Sequence, residues 1–265
     1  MTVRKVEAER GWPWRLAVLL VKPALLAMTR QDWQGGERIP ASGGCLVVLN
    51  HVSHADPFTA AHVVYDHGRL PRYLAKSGLF RNKLLARFLT ALGQIPVERH
   101  SANAAGAYDA AVEAVRRGQC VVVYPEGTIT RDPAGWPMVG KSGAARIALA
   151  TGCPVIPVGQ WGAQELLAPY SARLRPFPRK TIHMRVGEPV ALDDLREQPV
   201  SAETIRAATD RIMTAITDLV AQIRGEEPPA VRYDPRRDAD PGSGDQRSPD
   251  ATPEQPRQQH RRDQA

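Results

Sequence analysis

A histidine and an aspartate five residues apart, His51 and Asp56, stand where the apolar run Val47-Val48-Leu49 gives way to polar residues ahead of Pro57. Apolar β-branched residues followed by a proline suited to a first helical position read as a strand handing over to a helix. In a regular helix, positions five apart do not share a face. At a strand-to-helix turn the chain can bring the carboxylate back to the imidazole. The carboxylate then accepts from one ring nitrogen, fixes the tautomer and stabilises the imidazolium. The other nitrogen can take a proton from an attacking hydroxyl, a contribution of ~10²–10⁴ in rate. A plainer alternative stays open on these residues alone: Ser53 or Asp56 caps the helix and His51 is incidental.

A second stretch, Val121-Val122-Val123-Tyr124-Pro125-Glu126-Gly127-Thr128-Ile129-Thr130-Arg131, repeats the pattern of a buried strand ending in polar residues. Gly127 permits a positive φ or a close backbone approach. Arg131 offers a forked donor matched to phosphate. The alternative is an ordinary turn with a surface arginine.

Elements able to position these loops follow from the patterning. Strands are expected over Cys45–Leu49, Arg72–Ala75, Gln94–Val97, Gln119–Tyr124, Pro154–Gly159 and Lys180–Val186. Helices are expected over Phe58–Asp66, Lys83–Leu92, Asn103–Arg117, Ser142–Ala150 and Ser201–Ile223, with a long loop over Pro125–Lys141. Alternating strands and helices imply an α/β fold: a mixed, largely parallel sheet with helices on both faces. In such sheets ligands bind at the carboxyl ends of the strands, where both polar loops fall.

The 265 residues carry a net charge of +7. Residues 226–265 account for −2, leaving +9 on the body, which favours phosphate esters and anionic lipid as partners. Cys45, Cys120 and Cys153 lie in or beside apolar runs and read as reduced core residues of a cytosol-facing protein. Residues 1–35 read as an amphipathic membrane-associating segment. Lys22-Pro23 interrupts an apolar run too short to span, and Trp12, Trp14, Arg15 and Lys22 suit the headgroup region. A core helix is the alternative there; a signal peptide is disfavoured by the cysteine usage and the lack of a clean cleavage pattern. Residues 36–225 form the α/β domain, and 226–265, almost without apolar residues, read as disordered.

Together the loops carry a resemblance. Asn50-His51 through Asp56-Pro57 resembles the His-x4-Asp motif of the 1-acylglycerol-3-phosphate acyltransferase (lysophosphatidic acid acyltransferase) family, and Tyr124-Pro125-Glu126-Gly127-Thr128 resembles its Phe-Pro-Glu-Gly-Thr motif. Gly93–Arg99 and Pro154–Val158 are similar to two further motifs, in the family's order, within Gly36–Val190. The resemblance implies that His51 is a general base and Asp56 its orienting partner. It also implies that Arg99, Glu126, Gly127, Thr128 and Arg131 hold the acceptor's phosphate. The donor would be acyl-CoA or acyl carrier protein, with no metal and no cofactor. The product would be phosphatidic acid, with glycerol 3-phosphate or another lysolipid as the alternative acceptor. The implied place is the cytoplasmic face of the cell membrane, peripheral or monotopic. One departure weakens the Arg131 assignment: the family's arginine directly after the threonine is Ile129 here. His100 reads as a surface residue.

Other classes compete. Gly135–Ser142 matches the P-loop pattern letter for letter, but ten residues part it from its strand and Pro137 offers no N–H to a phosphate. His51, His54 and Asp56 are of metal-ligating types, which gives a metallohydrolase reading, yet the remaining histidines form no second cluster. A non-catalytic membrane-peripheral scaffold is a third reading. Nucleic-acid binding is disfavoured, because the basic residues are scattered and 6% aromatic content offers no stacking platform.

Overall fold

The computed structural model describes residues 4, 6, 11–97 and 104–238. In chain order these form α1 (Trp12–Met28), β1 (Thr29–Gln34), β2 (Cys45–Leu49), α2 (Asp56–Asp66), β3 (Pro71–Lys76), α3 (Lys83–Ala91), β4 (Ile95–Val97), α4 (Ala104–Arg116) and β5 (Cys120–Val123). They continue with α5 (Gly143–Thr151), β6 (Val155–Trp161), α6 (Ala163–Leu166), β7 (Lys180–Val186), α7 (Asp193–Arg196) and α8 (Ala202–Arg224). The strands make one sheet in the order β1-β7-β6-β2-β5-β3-β4. β6 and β7 are antiparallel; the other neighbours are parallel. The mixed, largely parallel sheet expected from the alternation is therefore the fold.

The uninterrupted apolar runs have a direct cause. Along β2, Leu46 and Val48 enter a cluster with Ala111, Ala148 and Ile212 of α4, α5 and α8. Cys45, Val47 and Leu49 enter the opposite cluster, with Ala60, Val63 and Leu166 of α2 and α6. A strand covered on both faces has no polar side to show. Each fully buried aliphatic side chain contributes roughly 1.5–3 kcal/mol, so these two layers fix the centre of the sheet. All three cysteines are free and buried within it.

Two boundaries shift. Thr29–Gln34, expected within the N-terminal segment, is an edge strand paired with β7 along its whole length. Its sequence, TRQDWQ, has Trp33 as its one apolar residue and gives no alternation to read. Residues 226–233, expected within the tail, lie against the domain. Tyr233 O accepts from Val139 N–H at 3.0 Å, and Arg232 donates to Thr214 Oγ1 at 2.5 Å. Those contacts are polar, so hydrophobicity does not announce them. The residues after 238 lie outside the described part of the chain.

α1 runs through Pro23 without ending. It buries Trp14 and Leu25 and exposes Trp12, Leu16, Leu19 and Leu20. The Lys22 ammonium bridges 2.5 Å to Asp66 at the end of α2. Among the described residues no helix is long and apolar enough to cross a membrane.

Candidate active site

β2 and β5 are parallel neighbours in the register Val48–Val123, so the polar loops that follow them leave the same edge of the sheet side by side. Two hydrogen bonds and a ring stack join them. His51 N–H donates to Glu126 Oε1 at 2.8 Å, Thr130 N–H donates to His51 O at 2.7 Å, and the Tyr124 ring stacks on the His51 imidazole at 4.4 Å. On the other side of β2, the buried Asn50 and Gln160 side chains clasp. Asn50 Nδ2 donates to Gln160 O, Gln160 N–H donates to Asn50 Oδ1, and Gln160 Nε2 donates to Asn50 O at 2.7–3.0 Å. This clasp ties the end of β2 to the end of β6. No local signal in either segment announces it, because its halves are 110 residues apart.

His51 Nδ1 lies 2.8 Å from Asp56 Oδ2. The same oxygen accepts from Val52 N–H at 2.6 Å and Ser53 N–H at 2.8 Å. The loop therefore folds the carboxylate back toward the strand, and the alternative of Asp56 as a plain helix cap gives way. The residue before α2 is Ala55, and it makes no side-chain cap. Ser53 steadies the turn: its hydroxyl donates to Leu167 O at 2.6 Å and accepts from Ala55 N–H at 3.0 Å. Asp56 is completely buried. Desolvation raises its carboxyl above the ordinary value, against the pull of His51 and the two N–H donors. Removing a carboxylate from water costs several kcal/mol, and charge-assisted bonds of this length are what offset it.

The expected phosphate ligands separate. Glu126 is not one of them: it is 2% exposed, and its second oxygen accepts from Met138 N–H at 3.0 Å. Burial pushes its carboxyl up to about 8, against those two N–H donors and with Asp56 adding to the rise. Glu126 is a bracket between the histidine loop and the loop at Met138; an anionic phosphate has no reason to approach it. Arg131 does not line the cavity either. Thr130 bonds inward to His51 O and Trp136 O, which leaves Arg131 exposed and off the cavity wall. Thr128 is half-buried and likewise off the wall. Gly127 does line it, with φ +72°. The positive φ favours glycine, and a Cβ added there would stand 2.9 Å from Lys141 Nζ, so the lysine as placed would have to shift. Arg99 lies outside the described residues.

Two groups on the wall, His54 and Lys141, had other readings in the sequence. Lys141 belongs to the P-loop match, and its position just before α5 was the available signal. Gly143 and Ala144, the first residues of α5, also line the cavity. A lysine beside the first turn of a helix is an arrangement suited to an anion.

The cavity itself, about 890 Å³, has His51 on its wall and runs between α1, α2 and α3. Pro57, Ala61 and Tyr65 mark its course along α2, a stripe ~12 Å long. Val18 and Val21 of α1 and Phe88 of α3 face that stripe. One end thus holds an imidazole and a cation, and the rest is mostly apolar, with Lys22, His62 and Gln94 among the polar side chains on its wall. His51 lines the polar end with Nδ1 turned to Asp56, which leaves Nε2 on the cavity side. Such a pair can accept a proton from a hydroxyl placed there and return it to a leaving group.

The competing chemistries find other geometry. Gly135–Ser142 forms no strand-to-helix turn. Trp136, Pro137 and Met138 are buried, Met138 N–H is committed to Glu126, and Arg224 is sandwiched at 4.1 and 4.5 Å by Trp136 and Trp161. Among the described residues no three His, Cys, Asp or Glu side chains converge as metal ligands would.

Residues 30–161 match a family model described as Acyltransferase. A 1-acyl-sn-glycerol-3-phosphate acyltransferase of Bacillus subtilis is 27% identical over 186 residues, 69% of this chain and 84% of that one. One of Borreliella burgdorferi is 32% identical over 125 residues, covering 47% and 48%. A chloroplastic one of Brassica napus is 28% identical over 154 residues, covering 57% and 43%. The chain thus spans about half the length of the last two relatives. The crystal structure of the 1-acyl-sn-glycerophosphate (LPA) acyltransferase PlsC from Thermotoga maritima superposes with a TM-score of 0.60 at 23% identity, over 81% of each chain. At that identity the likeness establishes the fold.

Proposed function

Since the chain belongs to the acyltransferase family of the 1-acyl-sn-glycerol-3-phosphate acyltransferases, we propose that it makes phosphatidic acid. It does so by moving a fatty acyl group from a thioester to the free hydroxyl of 1-acylglycerol 3-phosphate. The observation that carries this reading is the His51–Asp56 pair, closed at 2.8 Å, on the polar wall of a largely apolar cavity.

In the proposed reaction His51 Nε2 removes the acceptor's hydroxyl proton as the oxygen attacks the thioester carbonyl. Asp56 holds the tautomer and stabilises the imidazolium. The carbon–sulfur bond breaks, and the thiolate takes the proton back from His51. The acyl group passes directly to the acceptor; no acyl-enzyme and no metal is invoked. Lys141, Gly127 and the first turn of α5 receive the acceptor's phosphate, with Arg99 as a further ligand, while the apolar part of the cavity takes hydrocarbon. The +9 charge on the body suits an anionic acceptor. The donor is an acyl-CoA or acyl carrier protein.

The same reading places the protein on the cytoplasmic face of a membrane, where lysophospholipid resides. α1 supports it: Leu19 is 70% exposed while the opposite side of the helix faces the cavity. Exposed leucines at this spacing suit a helix lying in the headgroup region. The test is thiol release from an acyl-CoA panel with lysophosphatidate, glycerol 3-phosphate and other lysolipids supplied one at a time. Release with lysophosphatidate and a phosphatidic acid product support the reading. Release that favours glycerol 3-phosphate moves the protein to the alternative acceptor.

A further inference from the structure

Between α6 and β7 the chain makes an excursion, Leu167–Arg179, that neither the cavity nor the histidine pair uses. Three large apolar side chains stand out from it: Tyr170, Leu174 and Phe177, the last 72% exposed. Arg173 and Arg175 alternate with them and are also exposed. Apolar residues of this size, unburied and interleaved with arginine, make no contribution to the core.

The excursion is nonetheless held firmly. Leu167 O accepts from Ser53 Oγ in the catalytic loop at 2.6 Å, and Tyr170 OH donates to Ile129 O at 2.9 Å. Arg175 N–H returns to Leu166 O at 2.8 Å. Arg179 donates to Leu26 O and Thr29 O, at 2.8 and 2.6 Å, at the carboxyl end of α1. One flank is therefore anchored to the active-site loops and the other to α1. The exposed row of α1, Trp12, Leu16, Leu19, Leu20 and Leu26, ends at the carbonyl that Arg179 holds.

We propose that Leu167–Arg179 is a second membrane-contact element, which seats on anionic phospholipid beside the mouth of the active site. The inference rests on the membrane reading of α1 and extends it. Phe177 and Leu174 enter the headgroup layer, and Arg173 and Arg175 meet lipid phosphates. The neighbouring anchor on the Ser53 turn holds the mouth of the cavity close to the surface from which a lysolipid is drawn. Two observations favour a bilayer over an acidic protein as the occupant: the apolar side chains alternate with the arginines, and the patch adjoins the exposed leucines of α1.

The test measures partition of the full chain onto phosphatidylcholine vesicles with and without phosphatidylglycerol. Thiol release is followed in parallel with a short-chain lysophosphatidate kept dispersed as monomers. R173Q/R175Q should bind phosphatidylglycerol vesicles roughly 30-fold more weakly, as expected for two basic residues at an anionic surface, and added salt should shrink the difference. L174S/F177S should weaken binding to both vesicle types, and R173K/R175K should restore the parental partition. Thiol release from the monomeric acceptor should be the same in all of them, so the acyltransferase reading stands or falls separately. Parental partition by R173Q/R175Q overturns the proposal, as does a parent chain that ignores phosphatidylglycerol. Parental vesicle binding with a raised KM for acyl carrier protein alone overturns it in favour of a protein partner.

Discussion

The two ends of the cavity are built on opposite terms. At the histidine end the polar groups are densely bonded: Asp56 Oδ2 takes three donors, although its Oδ1 is buried without a partner, and Glu126 brackets two loops. The Asn50–Gln160 clasp locks the strand behind them. At the α1–α3 end, α3 has no fully buried residue, and Leu84 is 79% exposed. α1 is joined to α2 by the Lys22–Asp66 bridge and a small apolar cluster around Trp14 and Leu92. Proton transfer needs fixed atoms, and a hydrocarbon chain needs a wall that can give. Dense bonding and sparse packing are therefore each suited to the work proposed for them.

The largest departure from this contrast should come from Asp56→Asn. It can keep an oxygen acceptor for His51 and the two backbone N–H groups but removes the negative charge that stabilises the imidazolium, and turnover should fall ~10²–10⁴-fold with a smaller change in acceptor KM. Steady-state kinetics read the split. Next, Lys141→Met should raise the acceptor KM by ~10–100-fold, the scale of a charge-assisted bond to phosphate, while Arg131→Ala leaves it unchanged. The reverse pattern would return the phosphate to Arg131.

Glu126→Gln affects stability and its pH dependence. One of the two N–H donors would meet an amide NH2, costing ~1–3 kcal/mol. The pH effect has a definite sign. A carboxyl raised from 4.5 to about 8 in the folded state keeps a proton that the unfolded chain has lost. Its contribution is thus complete below 4.5 and disappears as pH rises through about 8. Denaturant titrations should show the parent weakening across that window and Glu126→Gln lacking that component. Equal slopes would place the carboxyl's titration elsewhere.

The smallest effect belongs to the loose end. Lys22→Met removes the part-exposed partner of the buried Asp66, which keeps His62 at 3.3 Å, and should cost ~1–2 kcal/mol. The melting temperature should fall by a few degrees, and limited proteolysis should cut at α1 sooner. A large loss of melting temperature would mean that α1 is part of the core.

What the sequence made legible were local patterns. The apolar runs of β2 and β5, and the histidine and aspartate after the first, lie within a few residues of one another, and the fold keeps them so. What it hid was direction and distance. The family resemblance suggested that Glu126 serves phosphate, and residue type that Arg131 does; burial turned one inward, and the bonds of Thr130 turned the other out. Lys141 follows its strand by a long loop and meets Gly127 only through the tertiary fold. β1 is an edge strand without apolar alternation, so hydrophobic period had nothing to report.

The account depends most on His51 acting as a base toward an acceptor hydroxyl. The direct measurement is thiol release from acyl-CoA with and without lysophosphatidate, in the parent and in His51→Ala of matched melting temperature. Release confined to the parent with acceptor present is the expected result. Release by His51→Ala at the parental rate, or release by the parent that ignores the acceptor, would contradict it.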